Sequence, residues 1–231
     1  FMRIYDFEVS QRPDILIANS KNVQARIKKF YRRDSIVIYP PATLSLARRA
    51  GPPVDKKDYF LSVGRLVRGK GIDIIIEACA KLGLLLKVVG TGPELTPVRE
   101  RFAGQSNIEF LGQVSDEDLA KLYAGARATI VASEDEDFGI VPVESMAAGT
   151  PVIAPRSGGY LETIIERKTG EYFNNATARL DSARLAVELM KVLEKFDHKK
   201  FKAEDCRKQA EKFSKERFKK EILELVKKNL T

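Results

Sequence analysis

Short apolar runs and helical stripes alternate through the middle of this chain. Residues 59–63, 84–89, 107–111, 128–133, 151–154 and 170–173 are apolar runs of strand length. Between them, residues 71–82, 95–102, 116–124, 141–148 and 160–166 place apolar side chains on one helical face. Strands alternating with helices in this way predict right-handed crossovers and a parallel sheet with helices on both faces. The runs are nearly continuous rather than alternating, as strands buried on two sides are. The fold expected over residues 46–177 is therefore α/β, a Rossmann-like doubly wound parallel sheet. Ser115 followed by Asp118 resembles a capping box for the third helix, and Gly149 is placed to stop the fourth.

The two ends differ from this centre. Residues 14–20 read as a strand ending in a helix cap, 21–31 as a helix, and 35–39 as a strand stopped by Pro40-Pro41. A β-α-β piece of this length cannot bury a core alone. Residues 1–45 are expected either to be the remnant of another, N-terminal domain or to fold onto the main unit. Gly51-Pro52-Pro53 suits a boundary. Residues 178–231 are expected to be helical throughout. Leu185, Leu189, Val192 and Leu193 form one apolar stripe, and Phe213, Phe218, Ile222, Leu225 and Val226 a second, with Ser214 a candidate cap.

Composition narrows the classes. With 231 residues, 44% apolar and 31% charged, the chain is of ordinary globular make-up. No run of ~18 apolar residues is present, and no signal peptide is visible. A cytoplasmic location is expected, with peripheral contact at a membrane face as an addition. Phe1 is no initiator residue, which suggests a fragment of a longer chain. Cys79 and Cys206 lie in no metal-like spacing and read as free thiols. The net charge of +8 is uneven. Residues 1–50 hold 10 Lys/Arg against 4 Asp/Glu and residues 199–231 hold 12 against 6, whereas residues 51–198 hold 18 against 22. An acidic centre argues against a nucleic-acid-binding core. The basic ends are either solvated helix faces or contacts for an anionic surface, such as a membrane leaflet or a lipid-phosphate acceptor.

Three loops carry candidate chemistry. After the first central strand comes Gly64-Arg65-Leu66-Val67-Arg68-Gly69-Lys70-Gly71. Arg65 offers a planar fork for phosphate oxygens, and Lys70 stands at a helix N-terminus. A pyrophosphate is the natural guest, although a turn with solvated charges has the same pattern. The order of a P-loop is absent. After the second strand comes Val89-Gly90-Thr91-Gly92-Pro93-Glu94, the opening of a dinucleotide fingerprint in which Leu95 replaces the third glycine. A loop bordering a base or ribose fits it better than a dinucleotide site. After the fourth strand, Glu136 and Glu144 stand eight positions apart, one in a Gly-containing loop and the other in the opening turn of a helix. The helix dipole alone stabilises a first-turn glutamate by ~0.3–1 kcal/mol. Yet an acidic cluster at a sheet's carboxyl edge, with Arg65 and Lys70 on an adjacent strand, suits a nucleotide-sugar: cations for the diphosphate and carboxylates for hydroxyls.

The segments G-R-L-x-x-x-K-G, V-V-G-T-G-P-E, F-L-G-Q-V-S, E-D-F-G-I-V-P-V-E-S-M-A-A-G-T-P-V-I-A and S-G-G-Y-L-E-T, in this order, resemble the motifs of retaining GT-B glycosyltransferases of family 4. The likeness runs from about residue 14 to residue 230. It implies that the chain is the C-terminal, donor-binding half of a GT-B fold, with C-terminal helices reaching towards the N-terminal domain. It also implies metal- and cofactor-independent transfer of a hexosyl group with retention, in the mannosyltransferase style. The donor would be GDP-mannose or a similar nucleotide diphosphate-sugar, and the acceptor a saccharide or lipid-linked acceptor in polysaccharide biosynthesis. By the same resemblance, Arg65 and Lys70 hold the diphosphate and Glu136 faces the donor sugar. Glu144 takes the ribose hydroxyls. Backbone amides of Phe138, Gly139, Ile140 and Val141 hold sugar hydroxyls and the distal phosphate. Gly64 is counted among the donor-binding residues, and Gly90, Gly92 and Val114 border the base. Asp137 departs from the family, which has a small residue or Pro there. The acceptor-binding domain of the family is not contained in these residues, so the chain alone is expected to be inactive. A non-catalytic module binding nucleotide-sugar, polyanion or membrane is the alternative.

Overall fold

The computed structural model describes residues 2–42, 56–133, 135–174 and 182–229. The candidate boundary at Gly51-Pro52-Pro53 lies outside them. The strands are β1 (Ile17–Ala18), β2 (Ile36–Val37), β3 (Phe60–Val63), β4 (Leu86–Val89), β5 (Ile108–Gly112), β6 (Thr129–Ile130), β7 (Val152–Pro155) and β8 (Gly170–Phe173). The helices are α1 (Met2–Ser10), α2 (Lys21–Tyr31), α3 (Ile72–Lys81), α4 (Leu95–Arg101), α5 (Asp116–Gly125), α6 (Ile140–Ala147), α7 (Tyr160–Thr163), α8 (Ser182–Leu193), α9 (Ala203–Glu211) and α10 (Lys215–Asn229).

The six central strands form one parallel sheet in the order β5-β4-β3-β6-β7-β8. Starting at β3, the chain builds outward to β5, then returns to the centre and builds the other way. This is the doubly wound order, and its reversal lies between β3 and β6. Alternate side chains supply two cores. On one face Phe60, Leu86, Val88, Ile130 and Ile153 pack against α3 and α8. On the other, Val152 and Ala154 meet α6, α7 and α9, while Leu61 and Val89 meet α5. Burial on both faces explains why the strands read as continuous apolar runs.

Several boundaries shift from the pattern-based expectation. β6 is shorter than residues 128–133, because the chain leaves the ladder after Val131, whose N–H still reaches Ile153 (3.0 Å). The helix expected over residues 160–166 stops at Thr163, since Ile164 turns extended at ψ 137°. Ser115 caps α5 by accepting from the Asp118 N–H (3.1 Å), and Gly149 ends α6 at φ +82°. Residues 178–231 are not helical throughout. Within the described residues, α8, α9 and α10 are separate, with a 3-10 turn at His198–Lys200 between the first two.

Residues 2–13 carried no sequence signal, yet α1 forms there. All its residues but Ser10 are at least partly exposed. Polar contacts hold it: Tyr31 Oη donates to Asp6 (2.9 Å), and Arg33 donates to the carbonyls of Ser10 (2.8 Å) and Pro13 (2.6 Å). β1 and β2 pair in parallel as a separate two-stranded sheet. Of the second stripe, Phe213 is buried, Phe218, Ile222 and Leu225 on α10 are partly buried, and Val226 stays 46% exposed.

Candidate functional site

The loops that follow β3 and β6 leave the sheet at its reversal point. In open α/β sheets this is where the crevice for a ligand lies. Here a cleft is lined by Ser62–Leu66 and Lys70 from the β3 side. Ile130–Ser133, Glu136, Gly139–Pro142 and Tyr160 line it from the other. Glycine is required where the two sides meet. A Cβ on Gly71, at φ +65°, would overlap the carbonyl of Ala132.

Of the predicted site residues, Gly64, Arg65, Lys70, Glu136, Gly139, Ile140 and Val141 converge on this cleft. Lys70 Nζ lies 2.7 Å from Glu136 Oε2, with the lysine side chain 44% and the glutamate 21% exposed. Arg65 is exposed and has no carboxylate partner among the described residues. An exposed guanidinium, a half-exposed ammonium and the N-terminal amides of α6 thus share one opening. That combination attracts an anion.

The other predicted residues lie outside the cleft lining. Gly90 and Gly92 pack against the β3 loop, where a Cβ on either would overlap the carbonyl of Gly64 or Leu66. Backbone bonds from Leu66 N to Thr91 O (2.9 Å) and from Glu94 N to Leu66 O (3.0 Å) fasten the two loops together. Close backbone approach is a sufficient reason for these glycines without any nucleotide. Val114 lines a separate shallow groove with Tyr59, Lys87 and Leu122. The Phe138 ring is buried between Tyr39 and Phe213, at 5.7 and 5.2 Å. Glu144 is mostly buried in α6, accepting from Tyr123 Oη (3.3 Å). Burial raises its carboxyl pKa to about 7, with Asp116 adding to the rise and the Tyr123 hydrogen bond opposing it.

Sequence reasoning missed Tyr160 as a wall of the cleft. It is 2% exposed. Burial raises its phenol far above the ordinary value, and the neighbouring Glu136 charge adds to this. Its hydroxyl contacts Ser133 and Glu136. The signal available was the glycine pair before it. A Cβ on Gly158 would come to 2.5 Å from the Glu136 carbonyl, and the Gly159 N–H donates to that carbonyl (2.8 Å). Among the described residues, no three His, Cys, Asp or Glu side chains gather as a metal-binding group. No helix among them is long and apolar enough to cross a membrane.

The family model for glycosyl transferases group 1 matches residues 46–213. The chain belongs to this family. An uncharacterized glycosyltransferase of Methanocaldococcus jannaschii is 32% identical over 160 residues, covering 68% of this chain and 44% of the relative. A D-inositol 3-phosphate glycosyltransferase of Corynebacterium efficiens is 30% identical over 197 residues, covering 73% and 46%. The chain thus spans less than half the length of these curated relatives. Among solved structures, sucrose-phosphate synthase from Thermosynechococcus elongatus superposes with a TM-score of 0.79 at 24% identity, over 98% of this chain and 61% of that one. Anabaena HepE in complex with UDP and glucose gives 0.77 at 22%, over 98% and 67%. These likenesses show that the family member has the Rossmann-like α/β fold of glycosyltransferase structures.

Proposed function

We propose that this chain is the donor-binding part of a glycosyltransferase and holds a nucleotide diphosphate-sugar across the reversal point of the sheet. The observation that carries the reading is the convergence of Arg65, Lys70, Glu136 and the α6 N-terminus on one cleft. The enclosed volume is about 170 Å³, below the ~300–1,000 Å³ of a complete small-molecule site. It suits the phosphate and sugar end of a donor, with the nucleoside running outside along the β4 and β5 loops. There Gly90, Gly92 and Val114 border the base and Glu144 meets the ribose. A structural neighbour that holds UDP and glucose supports the ligand class.

In the mechanism proposed, the hexosyl group leaves with its configuration retained, on the donor's front face. The departing diphosphate accepts the acceptor's proton. Arg65 and Lys70 stabilise the charge that develops on that diphosphate, a preorganised electrostatic contribution. Glu136 orients the sugar. The finer assignments, family 4 and mannosyl from GDP-mannose, rest on the motif resemblance, and a UDP-sugar is the competing donor. Residues 1–45 are read as the end of an acceptor-binding domain. Support comes from the small β1–β2 sheet, whose Ile17 (45%) and Ile36 (44%) remain exposed. The acceptor is a saccharide or a lipid-linked saccharide at a membrane face, which the basic ends of the chain suit.

A thermal-shift panel of GDP, UDP and ADP, each with and without its sugar, tests this reading, because a ligand of the native state raises Tm. One nucleotide-sugar is expected to raise Tm above the shift of its bare nucleotide. A folded sample that responds to none of them sinks the proposal.

A further inference from the structure

Glu162 has no part in the donor reading, yet its carboxylate joins segments far apart in the chain. Its Oε2 accepts from Lys21 N (2.8 Å) and from Tyr39 Oη (2.9 Å), and its Oε1 accepts from Asn22 N (2.9 Å). Lys21 and Asn22 open α2, so two amides without an intrahelical acceptor are satisfied from outside. A third, Val23 N, bonds Ser20 Oγ (3.0 Å). A carboxylate also suits the positive end of the α2 dipole. Burial pushes the Tyr39 phenol up to about 12, and its bond to Glu162 adds to this, so Tyr39 remains a donor.

The same short helix, α7, carries Tyr160 into the cleft wall. Its N-terminal end is fastened to Glu136 by the Gly159 N–H (2.8 Å). The next two residues of that loop reach the other way. Asp137 pairs with Arg26 on α2 (2.7 Å), and the Phe138 ring packs on Tyr39 (5.7 Å). Residues 136–138 and α7 therefore form one wall with two faces. The cleft lies on one, and the unit formed by β1, α2 and β2 lies on the other. The Arg26–Asp137 pair is half exposed, at 54% and 51%, and such pairs contribute little. The Glu162 bonds are charge-assisted and are the stronger tie.

We propose that Glu162 is a positioning residue for the donor: by docking the N-terminus of α2 and Tyr39 onto α7, it holds the wall so that Glu136 faces the sugar. This inference rests on the donor reading above. It assigns a task to residues 14–42 within the donor site itself, since their contacts set one wall of the cleft.

Two readouts on the chain test it. The first is calorimetric affinity for a nucleotide-sugar and its bare nucleotide, in wild type, Glu162→Ala, Glu162→Gln, Tyr39→Phe, Glu136→Gln and the Glu162→Ala/Glu136→Gln double variant. Glu162→Ala is expected to weaken nucleotide-sugar binding about fivefold, one hydrogen bond's worth. Bare-nucleotide binding, held by Arg65 and Lys70, should stay within about twofold. In the Glu136→Gln background the added loss should vanish, because Glu162 acts through Glu136. Equal losses for both ligands, or additive losses in the double variant, overturn the proposal. Should Glu162→Ala not fold, Glu162→Gln and Tyr39→Phe decide the same question. The second readout needs no ligand: amide hydrogen exchange over residues 135–142 should speed up in the Glu162 variants, while exchange in α3 stays unchanged. Wild type that binds no nucleotide-sugar defeats the donor reading, and the exchange readout then still decides whether Glu162 holds the wall. Unchanged exchange over residues 135–142 in a folded variant overturns that role.

Discussion

Lys70 and Glu136 meet at 2.7 Å, and under the proposed donor reading a diphosphate would draw Lys70 out of this ion pair. Lys70→Ala removes a charge-assisted contact of about 1.5–3 kcal/mol to the phosphate. Nucleotide-sugar affinity measured by calorimetry should therefore fall about ten- to a hundredfold. The melting point should move little, since an exposed pair contributes less than about 1 kcal/mol. Glu144 makes a prediction of different kind. Burial holds its carboxyl at about 7 rather than the ordinary 4.5. Between those values the unfolded chain is ionised at this position while the folded one keeps its proton. The native state then binds more protons, so the contribution of Glu144 to stability falls as pH rises from about 4.5 to 7, by about 3 kcal/mol. Glu144→Gln lacks this term. Urea denaturation at pH 4.5 and at pH 7.5 should show the variant gaining on wild type at the higher pH. A constant difference would contradict the buried, proton-holding carboxyl. The types of these residues and their spacing were legible in the sequence. The protonation of Glu144 was not, because it depends on what α5 and α6 bury together.

At the scale of elements, the loop from β3 to α3 shows how a glycine pattern is sorted by structure. Gly69 and Gly71 both take positive φ, +83° and +65°. Around a Cβ on Gly69 there is open space, whereas one on Gly71 would overlap Ala132. Gly69→Ala should cost about 1–2 kcal/mol from backbone conformation alone. Gly71→Ala should cost more, about 3 kcal/mol, and weaken donor binding as well, because the loops after β3 and β6 are pushed apart. Chemical denaturation of the two variants side by side checks the order. The central strands and helices were readable from periodicity, since period 2 and period 3.6 are properties of each segment alone. The helix α1 was not, as its support comes from Tyr31 and Arg33 rather than from an apolar stripe. The early ends of β6 and α7 were hidden too. Tertiary contacts at Ala132 and the extended turn at Ile164 cut these elements short.

Over the whole molecule, three rings tie distant segments together. Tyr39, Phe138 and Phe213 lie pairwise 5.2–5.7 Å apart, one each from the β2 end, the acidic loop and the α9–α10 joint. The Ala42 N–H reaches the Phe213 carbonyl (3.0 Å), and Arg217 donates to the Tyr39 carbonyl (2.5 Å). Phe213 is 4% exposed, so Phe213→Ala should cost about 3–5 kcal/mol in a urea titration followed by circular dichroism. The amides of α2 and α10 should lose hydrogen-exchange protection together. Independent behaviour of the two helices would show that the rings do not couple them. By itself the sequence determined the α/β class, the elements of the central sheet and the identity of the charged residues around the cleft. Local periodicity and local turn chemistry suffice for those. Tertiary structure alone decided which predicted residues share the cleft, that Gly90 and Gly92 serve loop packing, and that Glu162 caps a helix 141 positions away from it. The physical reason is common to all three. Each depends on which backbones approach one another once the sheet has ordered its strands, and no short window of sequence contains both partners.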